Sequence, residues 1–216
     1  MINKMVEIIP AINADSFEEI KKRIKLVEPY AKWVQIDVAN GTFTKNTLWH
    51  NPEDLLSLET PINIEVHLMM NDIDKKFENW LSASVKRIIF HISTSQDPEF
   101  LIKKIKEAGK QAGIAIAPYE SLARAAALKD KVSFFQILGV QPGLPGQKTD
   151  EYAFDKIRAM RKFCKECIIE VDGGMNKETG KKAVMAGANV IVAANAVFKN
   201  NEIKKNIEEL NGALNR

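Results

Sequence analysis

Eight short runs rich in Ile, Val, Phe and Ala recur along the 216 residues, and segments of helical periodicity separate most of them. The runs are 6–12, 32–38, 62–69, 85–92, 112–117, 132–138, 167–171 and 189–194. Such alternation predicts strands joined by crossover helices, which is the signature of a parallel sheet. Runs without polar alternation, such as Ile88-Ile89-Phe90 and Val190-Ile191-Val192-Ala193-Ala194, suit strands covered on both faces. Eight repeats of the unit favour a closed (β/α)8 TIM barrel over an open doubly wound sheet. No linker, low-complexity tract or change of composition divides 1–216, so the expectation is one barrel domain.

The intervening segments support this. Phe17, Ile20, Ile24 and Val27 share one helical face; so do Phe100/Leu101, Ile105 and Ala108, and so do Ile203, Ile207, Leu210 and Leu214. Asp97-Pro98 opens a helix that Gly109 closes, and Asn176 starts another. The segment after the second run is weakly marked, and the one after the fifth (120–128) is short.

Composition excludes several roles. Basic and acidic residues nearly balance, 31 against 28, which leaves no electrostatic footprint for nucleic acid or an anionic membrane. No stretch approaches the roughly 18 unbroken apolar residues of a membrane helix. The first twelve residues read as a strand rather than a signal peptide, so a cytoplasmic location is expected. Cys164 and Cys167 form a lone C-x-x-C. A structural zinc site needs a second pair, and a redox site needs the motif to open a helix; here it closes a helical pattern.

In such a barrel the C-terminal ends of the strands carry the chemistry. Asp37 closes the second run, His67 the third, His91 the fourth, and Asp172 follows the seventh. Period-two alternation puts Gln35 on the side of Asp37 and Glu65 on the side of His67. Carboxylates are costly to bury without a partner, so two of them at strand ends point to function. Glycines mark the loops that follow: Gly143 and Gly146 after the sixth run, and Gly173 and Gly174 after the seventh. Ala194-Asn195 ends the eighth. Loops after strands 7 and 8 are where barrels of this class bind phosphate through backbone N–H groups.

The blocks I-I-P-A-I, V-Q-I-D-V-A-N-G-T-F, E-V-H-L-M, F-H, V-Q-P-G-L-P-G-Q, V-D-G-G-M and A-G-A-N-V-I-V-A-A-N-A-V-F resemble the ribulose-phosphate 3-epimerase family, in order and spacing over essentially the whole chain. The resemblance implies an isomerase that inverts C3 of a ketose phosphate through an enediolate. Asp37 and Asp172 would be its two acids and bases. It also implies a divalent metal (Mg, Mn, Fe or Zn) held by Asp37, His67 and Asp172, with Gln35 at the fourth ligand position. Met69 would line the site, and Gly143, Gly146, Gly173, Gly174, Ala194 and Asn195 would cradle the phosphate. His91 would stand behind the ligands, Glu65 would orient its neighbours, and His50 would lie in a loop over the site. The implied partner is a small sugar phosphate, with no nucleic acid or membrane; self-association is left open.

The departures are specific. The family histidine is Gln35, its first-strand serine is Ala11, its M-D-G is Ala39-Asn40-Gly41, and its Gly-Ser is Ala194-Asn195. An amide oxygen suits harder ions such as Mg or Mn better than zinc. A phosphosugar decarboxylase would show D-x-K, but Ala39 stands two after Asp37. The reading from another class is a phosphosugar-binding barrel without catalysis.

Overall fold

In the computed structural model, which describes residues 5–143 and 146–215, eight parallel strands close on themselves in the order β1 to β8. They are β1 Glu7–Ile12, β2 Trp33–Ala39, β3 Asn63–Met69, β4 Arg87–His91, β5 Gln111–Ile116, β6 Phe134–Leu138, β7 Ile168–Asp172 and β8 Val190–Ala193. All eight expected runs are strands, each within two residues of its anticipated bounds. Motif positions Leu144 and Pro145 lie outside the described residues.

The connections are α1 Phe17–Val27, α2 Ile73–Lys76, α3 Glu78–Ser82, α4 Pro98–Glu107, α5 Leu122–Ala126, α6 Tyr152–Phe163, α7 Lys177–Ala186, α8 Asn195–Phe198 and α9 Ile203–Leu214. Between β2 and β3 a single 3-10 segment, Pro52–Ser57, replaces the helix, in keeping with the weak pattern there. Ile20, Ile24 and Val27 bury the inner face of α1, and Ile203, Ile207, Leu210 and Leu214 bury that of α9. In α4 the buried residues are Leu101, Ile102 and Ile105, whereas Phe100 and Ala108 face outward. The stripe is therefore rotated from the expected one. Asp97 caps α4, accepting from the Phe100 N–H at 3.0 Å, and Asn176 with Thr179 forms a capping box on α7. No helix among the described residues is long and apolar enough to cross a membrane.

Alternation splits each strand between two environments. Ile36, Val66, Ile88, Ile114, Ile137, Val171 and Ile191 face the helices and belong to the main apolar layer. The barrel interior is a different material. Small apolar clusters, Ile9/Ala11/Val190/Val192 and Ile89/Ala115/Phe134/Leu138, flank a buried polar group of Gln35, Glu65, Arg87, Gln136 and Glu170. Gly113 makes room for them, because a Cβ there would sit 2.9 Å from Ile89 and Phe134.

That polar group is ordered by one cation. The Arg87 guanidinium lies between the Trp33 and Phe134 rings, 4.2 and 3.8 Å from their centroids. It pairs with Glu65 and donates to Gln111 Oε1 at 2.7 Å. Burial pushes the Glu65 carboxyl up to about 7, against the pull of Arg87, and holds Glu170 well above the usual range. Glu65 Oε1 and Glu170 Oε2 are among the buried oxygens without a hydrogen-bond partner, and the Glu65 charge adds to the rise of Glu170. Glu65 thus sits a layer below His67 and serves Arg87 rather than the histidine. The reason is the two-residue step along β3, which separates the side chains by about 7 Å.

Candidate active site

Asp37 and His67 stand side by side in register on β2 and β3, and Asp172 is the last residue of β7 across the barrel mouth. Strand tilt brings them together. His67 Nδ1 lies 3.3 Å from Asp37 Oδ1 and 3.8 Å from Asp172 Oδ2, and one ligand atom from each residue falls within 4.8 Å of the other two. Asp37 and His67 are buried and Asp172 is partly open to the cavity above. Burial, then the charge of Asp37, raises the Asp172 carboxyl to about 6; His67, the Gln35 amide and the Gly173 backbone N–H oppose this.

His91 backs His67, with the two Nε2 atoms 2.9 Å apart. Burial, and then the neighbouring His67, keeps the His91 imidazole neutral, with its pKa well below the ordinary value. One proton must lie between these nitrogens. When His67 donates it, His67 Nδ1 presents a lone pair to the two carboxylates, which is the tautomer a metal ligand needs. Phe43 covers His91, with ring centroids 4.3 Å apart.

Above the acids a cavity of about 450 Å³ opens between the loops. Asp37, His67 and Asp172 line its floor, and Met69 one wall. Gly143, Gly146, Gly173, Gly174, Ala194 and Asn195 line it too, from the loops after β6, β7 and β8. Gln35 is the exception among the expected site residues. It is fully buried beneath the floor, and its Nε2 donates to Asp37 Oδ1 at 2.7 Å and Asp172 Oδ2 at 2.9 Å.

The glycine wall is held by its acceptors. The Gly173 carbonyl takes the Thr149 hydroxyl at 2.9 Å, and the Gly174 carbonyl takes that of Thr179 at 3.0 Å. Gly173 and Gly174 have φ of 109° and 71°, and a Cβ on Gly174 would lie 2.5 Å from Thr149 Oγ1. Only glycine fits the turn.

Several lining residues were not anticipated as site residues from sequence, Asn13, Asn176 and Lys199 among them. Asn13 follows β1, Asn176 doubles as the α7 cap, and Lys199 is the one Lys or Arg among the described residues that lines this cavity. Asn13 and Lys199 carry no local signal, because their relevance depends on which loops meet. His50 does not reach the cavity: it is exposed, and its Nδ1 lies 2.7 Å from the Leu48 carbonyl. Cys164 and Cys167 lie between α6 and β7, at the opposite end of that strand from Asp172, and are joined as a disulfide.

Residues 7–198 match the family model "Ribulose-phosphate 3 epimerase family". The chain belongs to the ribulose-phosphate 3-epimerase family. It is 30% identical to the ribulose-phosphate 3-epimerase of Bacillus subtilis over 216 residues, 97% of this chain and 100% of that protein. It is 32% identical to the Synechocystis sp. enzyme of the same name over 91% of this chain and 89% of that one. Membership makes the protein an epimerase-type isomerase. Among solved structures, a 3-hexulose-6-phosphate synthase superposes with a TM-score of 0.72 at 16% identity, covering 96% of this chain and 99% of that one. The orotidine 5'-phosphate decarboxylase of Pyrococcus horikoshii gives 0.68 at 16% identity, covering 96% and 98%. These two speak for the barrel alone.

Proposed function

We propose that this protein epimerises ribulose 5-phosphate or a close ketose phosphate at C3, with Asp37 and Asp172 exchanging protons with opposite faces of the sugar. The observation that carries the reading is the convergence of Asp37, His67 and Asp172 in a cavity that glycine-rich loops also line.

The sugar lies with its phosphate toward Gly174 and Asn195 and its C2–C3 end over the acids. One aspartate takes the C3 proton as the C–H electron pair shifts toward the C2 carbonyl, which gives the 2,3-enediolate. The other, already protonated, returns a proton to C3 from the opposite face. The pair therefore starts and ends with one proton, its location exchanged. The raised proton affinity of Asp172 beside Asp37 suits a pair that holds one. Met69 and Leu138, lining the same cavity, keep bulk water from the carbanion face.

The donor set Asp37, His67 and Asp172 fits a divalent metal, because His91 can take the His67 Nε2–H and leave Nδ1 free among the carboxylates. Such an ion, Mg, Mn, Fe or Zn, would supply Lewis acidity to the oxygens of the enediolate. The phosphate end needs its own stabilisation, with two carboxylates on the cavity floor, and Lys199 is placed to provide it.

The test is solvent-deuterium exchange at C3 of ribulose 5-phosphate, followed by NMR. Exchange is expected in the native protein, and a loss of epimerisation of about 10²–10⁴-fold in each of Asp37→Asn and Asp172→Asn, with binding retained. Undiminished exchange in both variants would overturn the mechanism. Binding without exchange in the native protein would favour the phosphosugar-binding barrel instead.

A further inference from the structure

Gln35 lies where the family resemblance puts a fourth metal ligand, yet the atom it presents to the site is a donor. Its Nε2 reaches both carboxylates, at 2.7 and 2.9 Å, and its Oε1 points the other way, accepting from Gln136 Nε2 at 2.7 Å. Gln136 Nε2 in turn donates to Glu170 Oε1 at 2.9 Å. All three of Gln35, Gln136 and Glu170 are fully buried.

This direction is fixed by its neighbours. Turning the Gln35 amide over would set its oxygen against two carboxylates and its NH2 against the NH2 of Gln136. Correcting the second clash would require Gln136 to turn too, which would put its oxygen against Glu170. Buried polar groups strongly disfavour such mismatches, and here three would have to be resolved together. Gln136 and Gln35 hydrogen-bond across the barrel from β6 to β2, so the chain of donors spans the interior and ends on the acids.

We propose that Gln35 is a positioning residue and not a ligand: its NH2 clamps the Asp37 and Asp172 carboxylates at a fixed separation, with Gln136 as the latch, and the metal site has three protein ligands. The inference rests on the reading of Asp37 and Asp172 as the proton-transfer pair. It deepens that reading by assigning the polar interior of this barrel a task, namely holding two like charges together whether or not an ion lies between them. An imidazole at position 35 would compete for a metal. The amide instead contributes two N–H groups, one for each acid.

Two measurements made without substrate test this separately from epimerisation. In metal-free, amide-labelled protein, the two Gln35 side-chain protons should exchange slowly with solvent. Asp37→Asn and Asp172→Asn should each shift them, as should Gln136→Leu. A merely structural glutamine would not report both acids. Gln35 protons that exchange like surface amides, or that ignore both Asp→Asn changes, would overturn the clamp even if the enzyme epimerises.

The second measurement is Mn2+ binding by electron paramagnetic resonance in native protein, Gln35→His and Gln35→Leu. Gln35→His should bind about tenfold tighter or more, by gaining a ligand the amide does not supply. Binding by Gln35→His alone supports the inference equally. Gln35→His no tighter than native, together with loss of binding in Gln35→Leu, would show the amide oxygen to be a ligand and sink the proposal. If none of the three binds Mn2+, the metal part of the function falls, and the amide spectra alone decide the clamp.

Discussion

Replacing Arg87 with Met should destabilise the barrel by an amount that grows with pH. Arg87 is buried, paired with Glu65, bonded to Gln111 and enclosed between two rings, so Met fills much of the space but removes the charge. What remains is Glu65 beside Glu170 with no cation. Breaking a buried pair in this way costs about 3–5 kcal/mol where the surviving charge stays ionised. For a domain of this size that is roughly 6–20 °C in Tm, at about 2–4 °C per kcal/mol.

The sign with pH follows from the raised carboxyls. Glu65 goes from 4.5 to about 7 on folding, and Glu170 is held well above the usual carboxylate range. The native state thus retains protons that the unfolded chain has released. That contribution is complete below about pH 4.5 and is lost as pH climbs through about 7. Arg87 lowers both carboxyls, so its removal lifts them again and extends the decline to higher pH. The full loss should therefore show near pH 8, and a clearly smaller one near pH 5, where the pair is protonated. Urea unfolding at the two pH values measures it. Equal losses at both, or a variant as stable as the native chain at pH 8, would refute the assignment of Arg87 as counter-ion to this pair.

The phosphate end of the cavity gives two further outcomes. Lys199→Gln should raise KM for the sugar phosphate about tenfold by removing one charge-assisted contact, with kcat little changed; an unaltered KM would take Lys199 out of the site. Gly174→Val should cost about 1–3 kcal/mol in urea unfolding, because φ of 71° and the 2.5 Å approach to Thr149 both exclude a side chain. It should also weaken protection by inorganic phosphate in thermal melts. Protection unchanged from native would place the phosphate elsewhere.

The barrel itself was legible in the chain. Strands such as Ile88–Phe90 and Val190–Ala193 announce themselves because burial on both faces demands unbroken apolar residues, and caps such as Asp97 and Asn176 act within three residues of themselves. Asp37, His67 and Asp172 were equally visible, since a carboxylate or imidazole that closes an apolar run is costly to bury unless it has a partner or a task. Direction and partnership were not. Whether Gln35 offers oxygen or nitrogen to the acids is set by Gln136, 101 residues away, and by Glu170 behind it. Glu65 turned from a neighbour of His67 into the partner of Arg87, and Lys199 entered the cavity only because the loops after β7 and β8 meet there. Local pattern fixes which face a side chain takes. Hydrogen bonds across a closed barrel join residues from distant strands, and only closure decides who faces whom.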